Sequence, residues 1–398
     1  MRNNARTLLL VFLLVLLCAA LSGCGGQEIE SCLFVLSLAV DPAPEGALTV
    51  TVKALSGTQE AAGGAAGEAG GGEEASGAGG ESGLETPEPG YIVLSATAES
   101  CLRALNLLSA TTPRALNLSQ LREVVINRTL AQTDATLTIL TEIHSMYRAN
   151  GEATVVITPD NAGDFIRRQR AILGVRLSKY LEVLFEHFSE MDTIPPGAQL
   201  ASVIAAMRSS GGDAAAVYAA GNAFDSTLNL PGAAELDRLP GHLPRTSPAQ
   251  NEYLGSALFS GARMTGTLTG EETGLLCLMM GRAQRREAFI DGAQYKTNLR
   301  TRVRRSCAEE DGALCVSVSM NLTHIAGAAG MLPEEIAIRI ERGCVEVLRK
   351  LQAAGCDAAS FGALAMRRYA DIPAWEKSGW RDAYESLPVR VSARVRVL

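Results

Sequence analysis

Three segments near the C-terminus, residues 296–304, 314–323 and 389–397, alternate apolar and polar side chains with a period of two. Because successive side chains of a β-strand point to opposite faces, this alternation predicts strands with one buried face and one solvent face. The first two segments flank the turn-like Asp311-Gly312 and are predicted to form an antiparallel pair. The third segment closes the chain and is predicted to join the same sheet.

Arginine occupies many of the polar positions in the first and third of these segments. The residues are Arg300, Arg302, Arg304, Arg390, Arg394 and Arg396. A solvated sheet face would explain them without any further role. The functional interpretation is a basic patch that faces anionic lipid headgroups or acidic loops of membrane partners, since each charge near such a surface contributes about 1 kcal/mol. The alternation alone leaves both interpretations open.

Strand-like and helix-like patterns alternate through the first half of the chain. Strands are predicted over 32–40, 47–54, 91–96, 122–127, 153–158 and 214–220, and helices over 100–108, 133–148, 160–172, 177–188 and 199–207. The later pattern predicts a hairpin over 254–268, a helix over 269–280 and a long helix opening at Pro333. Together these predict an α+β or mixed α/β fold, in which mixed and antiparallel sheets are packed by helices.

Two stretches of unusual composition indicate how the chain is divided. Residues 56–90 are almost entirely Gly, Ala, Glu and Ser, which cannot bury enough apolar surface to offset chain entropy, so a disordered loop is predicted. Residues 221–251 carry four prolines and little periodicity, and are predicted to be a linker or irregular connector. The predicted organisation is a leader over 1–23, an N-terminal α/β domain over 24–220 and a C-terminal α+β domain over 252–398.

The N-terminus has the pattern of a secretory signal. Arg2 and Arg6 precede an apolar run over 8–20, which is shorter than the roughly 20 residues of a membrane-spanning helix. The segment Leu21-Ser22-Gly23-Cys24 then resembles the bacterial lipobox, which implies that Cys24 receives a diacylglyceryl group and becomes the first residue after cleavage. Two acyl chains suffice for stable anchoring. The alternative is an ordinary signal peptide with an incidental cysteine.

Charge and cysteine content exclude several classes of function. Net charge falls from −7 to −9 without the leader, which carries two arginines and no acidic residue, whereas nucleic-acid binding calls for a basic domain. Seven cysteines then remain beyond Cys24, with no Cys-x-x-Cys motif, and the four histidines are scattered, so no metal site is predicted. For Cys307 and Cys315, a cross-hairpin disulfide and buried thiols both fit the spacing.

Motifs of common enzymes are missing from the sequence. The chain has no Gly-x-Ser-x-Gly, Ser-x-x-Lys, His-Glu-x-x-His or phosphate-loop motif. The acidic pairs Glu309-Glu310 and Glu334-Glu335 fall at a predicted turn and a predicted helix start, where solvation and the helix dipole explain them. We therefore expect no catalytic residues and no cofactor.

A set of motifs resembles the Ger(x)C family of spore germination proteins. In that family an aspartate and a Phe-Gly pair follow a long helix, and a Pro-x-x-Trp-type segment and a second tryptophan precede a Val-rich last strand. A middle Gly-Ser-containing motif and an aspartate near the N-terminus are also similar. The residues that carry the resemblance here are Asp41, Gly255, Asp357, Phe361, Gly362, Pro373, Trp375 and Trp380. Their order and spacing cover nearly the whole mature chain.

This resemblance implies a non-enzymatic lipoprotein that is the C subunit of a nutrient germinant receptor. Such a subunit would act with transmembrane A and B subunits on the outer face of the inner spore membrane, anchored through Cys24. Trp375 and Trp380 would either pack in the core or lie at a ligand pocket or partner surface. A solute-binding lipoprotein of a transporter is the alternative function, since it would share the lipobox and the α/β content.

Overall fold

The computed structural model describes residues 31–56, 90–146, 149–172, 175–222, 237–243, 251–282, 286–287, 298–310, 313–324 and 332–397. The predicted leader, Cys24 and the Gly/Ala/Glu-rich stretch over 57–89 lie outside the described residues. The two residues that bound this stretch are hydrogen-bonded to each other, because the Ser56 N–H donates to the Gly90 carbonyl (2.9 Å). None of the described helices is long and apolar enough to cross a membrane.

A large mixed sheet is built from the first part of the chain. Its strands are β1 (Cys32–Pro42), β2 (Leu48–Leu55), β3 (Tyr91–Ala98), β4 (Ala115–Asn117), β5 (Glu123–Asn127), β6 (Thr154–Thr158), β7 (Ala215–Gly221), β8 (Asn251–Ser260) and β9 (Arg263–Leu268). They lie in the order β3-β2-β1-β5-β6-β7-β8-β9, and β4 pairs with the start of β1. Strands β1, β5, β6 and β7 are parallel, whereas the flanking strands pair antiparallel.

Helices cover both faces of the large sheet. They are α1 (Cys101–Thr111), α2 (Arg128–Ala131), α3 (Ala135–Met146), α4 (Ala162–Arg168), α5 (Leu177–Glu190) and α6 (Leu200–Arg208). Helices α1, α3 and α6 pack against one face, and α4 and α5 cover the other. Adjacent residues such as Val124 and Val125 therefore enter different cores. This double cover explains why the central strands read as continuous apolar runs.

A second, smaller sheet is formed near the C-terminus. Its strands are β10 (Arg286–Glu287), β11 (Asn298–Glu310), β12 (Ala313–His324) and β13 (Val389–Val397), in that order. The predicted antiparallel pair of β11 and β12 is confirmed, and the closing strand β13 joins the same sheet, parallel to β12. One face carries Val316, Val318 and Met320 into the core.

Helices pack on the apolar face of the small sheet and link it to the large one. They are α7 (Gly270–Met279), α8 (Pro333–Ala353), α9 (Phe361–Ala365), α10 (Ile372–Glu376) and α11 (Trp380–Tyr384). Helix α7 begins with a capping box, in which Thr269 and Glu272 each accept the other's backbone N–H. The amphipathic helix α8 buries Ile340, Cys344 and Leu351 against the small sheet. The predicted class, mixed and antiparallel sheets packed by helices, is confirmed.

The first two strands after the predicted connector belong to the large sheet. β8 pairs with β7, and β9 pairs with β8. Residues 252–259 of β8 are buried without interruption, so this strand needs cover on both faces, which the large sheet supplies. Residues 252–268 therefore complete the sheet of the segment that precedes the predicted boundary at residue 252.

Candidate functional site

Two buried aspartates join the large sheet to the small-sheet region. Asp213 precedes β7, and Asp357 follows α8; we call residues 209–214 and 356–362 the sheet junction. The Asp357 N–H donates to Asp213 Oδ2 (3.0 Å), and the Asp213 N–H donates to the Asp357 carbonyl (3.2 Å). Asp213 Oδ1 also accepts from the Gly261 N–H and from Arg381 Nη2, both at 3.0 Å. The two segments are thus held together by reciprocal hydrogen bonds between buried aspartates.

Asp357 also organises the turn that leads into α9. Its carboxylate accepts the N–H groups of Phe361 (2.9 Å) and Gly362 (2.6 Å). Burial raises the pKa of Asp357 to about 7, and the nearby Asp213 charge adds to this, while the two backbone N–H bonds and Arg305 oppose it. A carboxyl of this kind changes protonation near neutral pH.

The two tryptophans lie in the core and reach the same junction. Trp375 and Trp380 are buried, and their ring centroids are 5.6 Å apart. The ring centroid of Trp380 also lies 5.7 Å from that of Tyr384. Trp375 Nε1 donates to the Ser210 carbonyl (3.2 Å), which crosses the junction. Trp375 therefore combines core packing with a role in holding the junction, as buried amphipathic aromatics commonly do, and Trp380 packs beside it.

Gly362 permits this close approach. A Cβ at this position would lie 2.6 Å from Trp380 Nε1 and 3.0 Å from the Gly211 carbonyl oxygen.

Pro373 occupies the first turn of α10, whose N-cap Asp371 accepts the Ala374 N–H (2.8 Å). The Asp, Phe-Gly, Pro and Trp motifs of the sequence are thereby brought together in one region.

A cavity of about 160 Å³ opens beside the junction. Its lining includes Pro196, Ser202, Asp213, Leu276 and Ser360. Both carboxylate oxygens of Asp213 already accept hydrogen bonds within the chain. Among the described residues, no cluster of His, Cys, Asp and Glu could hold a metal ion. The junction therefore attaches the two sheets to each other, and the carboxylate oxygens of Asp213 and Asp357 are already hydrogen-bonded within the chain.

The register of the small sheet brings the predicted arginines onto one face. Arg302 pairs with Asn321, which pairs with Arg394, and Arg304 pairs with Ser319 of the same central strand. On β13, Arg390 pairs with Ser317 of β12 and Arg396 pairs with Thr323, which also pairs with Arg300 of β11. We call the row of residues 302, 304, 390, 394 and 396 the arginine face. It is the face opposite the one packed by α8.

Models of two family domains match this chain. The model for the spore germination protein N-terminal domain matches residues 25–220. The model for the spore germination B3/GerAC-like C-terminal domain matches residues 254–398. The chain belongs to the GerAC-like family of spore germination proteins. The family predicted from the sequence motifs is confirmed.

One solved structure is similar to this chain over most of its length. The crystal structure of the GerBC protein is 12% identical in sequence, covers 91% of this chain and 96% of its own, and superposes with a TM-score of 0.46. No curated protein matches the chain. The two domain matches therefore carry the assignment to the GerAC-like family.

Two of the predicted GerAC-like motif residues lie away from the junction. Asp41 is the penultimate residue of β1 and accepts the N–H groups of Ala162 (2.7 Å) and Gly163 (2.8 Å), which fixes the start of α4. Burial raises the pKa of Asp41, and these two bonds oppose the shift. Gly255 lies in β8 with φ +93°, at a register shift between β7 and β8. Both residues have structural roles in the large sheet.

Sequence reasoning missed a buried charged network in the large sheet. Lys53 and Glu123 are both fully buried. Glu123 accepts bonds from Ser37 Oγ (2.7 Å), Tyr253 OH (3.2 Å) and Gln169 Nε2. Lys53 Nζ donates to the Gln169 carbonyl (2.5 Å). Burial raises the pKa of Glu123, while its hydrogen bonds and the Lys53 charge lower it.

The seven described cysteines are buried, and none forms a disulfide. Cys307 and Cys315 lie on neighbouring strands without a bond between them, so buried thiols are the state of the pair in this structure. Burial raises the pKa of the Cys307 thiol to about 11, and the charge of Arg368 opposes this. A thiol with so high a pKa is a poor nucleophile at neutral pH.

Proposed function

We propose that this chain is the lipid-anchored C subunit of a nutrient germinant receptor. In this proposal Cys24 carries the diacylglyceryl anchor, and the folded chain lies on the outer face of the inner spore membrane. It assembles there with transmembrane A and B subunits and contributes binding and positioning without catalysis. The observation that carries the proposal is membership of the GerAC-like family, whose two domain models match 25–220 and 254–398.

The geometry of the junction supports a positioning role. Asp213 and Asp357 are both buried there. Their carboxylate oxygens accept hydrogen bonds from backbone N–H groups and from an arginine of the chain itself. A general acid or base needs a proton-transfer contact with a substrate, and the oxygens of both carboxylates already accept hydrogen bonds within the chain. The alternative of a solute-binding lipoprotein would call for a ligand cleft with available polar groups.

Replacing Cys24 with alanine is expected to abolish the receptor's response to its nutrient. The measurement is nutrient-triggered loss of refractility in spores of a deletion strain complemented with the wild-type chain or Cys24→Ala. Without the two acyl chains the protein loses its stable membrane anchor. We expect wild-type complementation to restore the response and Cys24→Ala to leave it near the deletion level.

Cys18→Ala is the matched control, because this cysteine lies in the predicted leader and is removed with it. It should complement like the wild type. Restoration by Cys24→Ala would contradict the lipid anchor. Normal responses of the deletion strain to every nutrient would contradict the receptor role for these nutrients and favour the solute-binding alternative, which neighbouring genes for a permease and an ATPase would support.

A further inference from the structure

The arginine face is strongly basic although the chain as a whole is acidic. Arg302, Arg304, Arg390, Arg394 and Arg396 are all exposed. The central strand β12 fills the space between the two arginine-bearing strands with short neutral side chains: Ser317, Ser319, Asn321 and Thr323. In a protein of net charge −7, this concentrates positive charge on one flat surface.

Most of these arginines are not neutralised within the chain. In the part of the chain that the structure describes, Arg302, Arg304, Arg394 and Arg396 take part in no ion pair. The described outward positions of β11 from 302 to 306, of β12 from 317 to 323 and of β13 from 390 to 396 include no acidic residue. Their like charges repel, so a bound anion would lower the electrostatic energy of this face.

The side chains of this face fit phosphate groups better than a protein partner. Protein interfaces concentrate aromatic and apolar anchors at their centre. The centre of the arginine face is Ser319 and Asn321, and the apolar residues of β12 point into the core. Guanidinium groups bind phosphate oxygens through paired hydrogen bonds. A row of spaced guanidinium groups on a flat polar sheet therefore matches a layer of phospholipid headgroups.

The topology places the small-sheet region near the predicted membrane anchor; this step rests on the proposed function. Cys24 precedes the start of β1 by eight residues, which span at most about 28 Å when fully extended. β1 and β7 are parallel and separated by β5 and β6, so their aligned residues lie roughly 14 Å apart, and β1 begins five residues before Ser37, which is aligned with the start of β5. The junction at Asp213 precedes β7 and so lies on the edge from which the anchor segment leaves.

We propose that the arginine face binds anionic phospholipid headgroups and forms a second membrane contact beside the lipid anchor. The acyl chains at Cys24 hold the protein at the bilayer, and the arginine face sets which side of the small sheet faces it. This contact is electrostatic, so it weakens as ionic strength rises. It differs from the anchor because it needs a charged lipid surface.

Vesicle co-sedimentation of the mature chain carrying Cys24→Ala tests this contact without the acyl chains. The probes are vesicles of phosphatidylcholine alone and vesicles of phosphatidylcholine and phosphatidylglycerol in equal parts, at low and high salt. We expect binding to the anionic vesicles only, reversed by salt. The combined substitutions Arg302→Gln, Arg304→Gln and Arg394→Gln should weaken binding on the order of 100-fold, since each arginine near such a surface contributes about fivefold.

The control variant removes three positive charges at other positions of the C-terminal region. Arg342 and Arg349 lie on α8, and Arg367 follows α9; all three are exposed. Their replacement by glutamine should leave vesicle binding within about twofold, because they are not on the arginine face. Circular dichroism and thermal unfolding establish that both triple variants are folded.

Three results would overturn the proposal. One is the absence of binding to anionic vesicles by the folded Cys24→Ala chain; another is equal binding to neutral vesicles. The third is equal weakening by the control triple variant, which would show a response to net charge alone. Binding of polyglutamate by the arginine face without vesicle binding would assign it to an acidic protein partner instead. None of these results depends on germination, so failure here and failure of the receptor role are distinguishable.

Discussion

Replacing Gly255 with alanine is expected to destabilise the protein by about 2 to 5 kcal/mol. Two costs combine at this position. Gly255 has φ +93°, which an alanine adopts only with strain, and its Cβ would lie 2.3 Å from the carbonyl oxygen of Leu268. That oxygen is backbone at the end of β9, immediately before the capping box of α7. The clash therefore cannot be relieved by a rotamer change.

Gly46→Ala is the matched control for this substitution. Gly46 has φ +78° and lies between β1 and β2 of the same sheet, but a Cβ there would meet nothing within 4 Å. It should show only the conformational cost, roughly 1 to 2 kcal/mol. The measurement is the midpoint of urea or thermal unfolding for both variants. Equal shifts of the two midpoints would show that the contact with Leu268 is relieved by movement of β9.

The contribution of Asp357 to the free energy of unfolding is expected to fall as the pH rises from about 4 to about 7. The ordinary pKa of this carboxyl is 3.8, and burial raises it to about 7 in the folded protein. Between these values the folded chain keeps a proton that the unfolded chain has lost, so the stabilisation is fully present below pH 3.8 and is lost through pH 7. A shift of this size corresponds to about 4 kcal/mol.

Asp357→Asn isolates this contribution, because asparagine cannot titrate. Unfolding midpoints of the wild type and Asp357→Asn should be compared at closely spaced pH values from 4 to 8. The stability of the wild type relative to the variant should fall across this interval and then become constant. The raised pKa values of Asp41 and Glu123 give slopes of the same sign in both proteins. Parallel pH profiles for the two proteins would contradict the assignment to Asp357.

Local patterns in the sequence were sufficient for most elements of the fold. The alternation over 314–323 predicts β12, and Pro333 marks the start of α8 where the structure has it. The strand order was beyond local reasoning, because parallel pairing joins strands such as β1 and β5 that are separated along the chain by β2, β3, α1 and β4. Lys53 shows the same limit: it occupies a polar position of β2, yet it is fully buried and donates to the carbonyl of Gln169, just after α4.

The candidate sites divide in the same way. The arginine face could be anticipated from alternation on β11 and β13, but placing the rows on one face required the register through β12. The motif at Asp357 was visible as a resemblance, whereas its partner Asp213 was not, since the two are 144 residues apart and no local pattern connects them. Long-range hydrogen bonds of this kind have no periodic trace in a sequence.

The position of β8 and β9 in the large sheet bears on how the chain folds during synthesis. A polypeptide interrupted between residues 222 and 251 would lack both strands and leave β7 as an open edge. Uncovered edges of apolar strands pair with other chains and aggregate. We therefore expect fragments that end in this interval to be insoluble. The large sheet is expected to fold cooperatively only after the chain has been synthesised beyond residue 268.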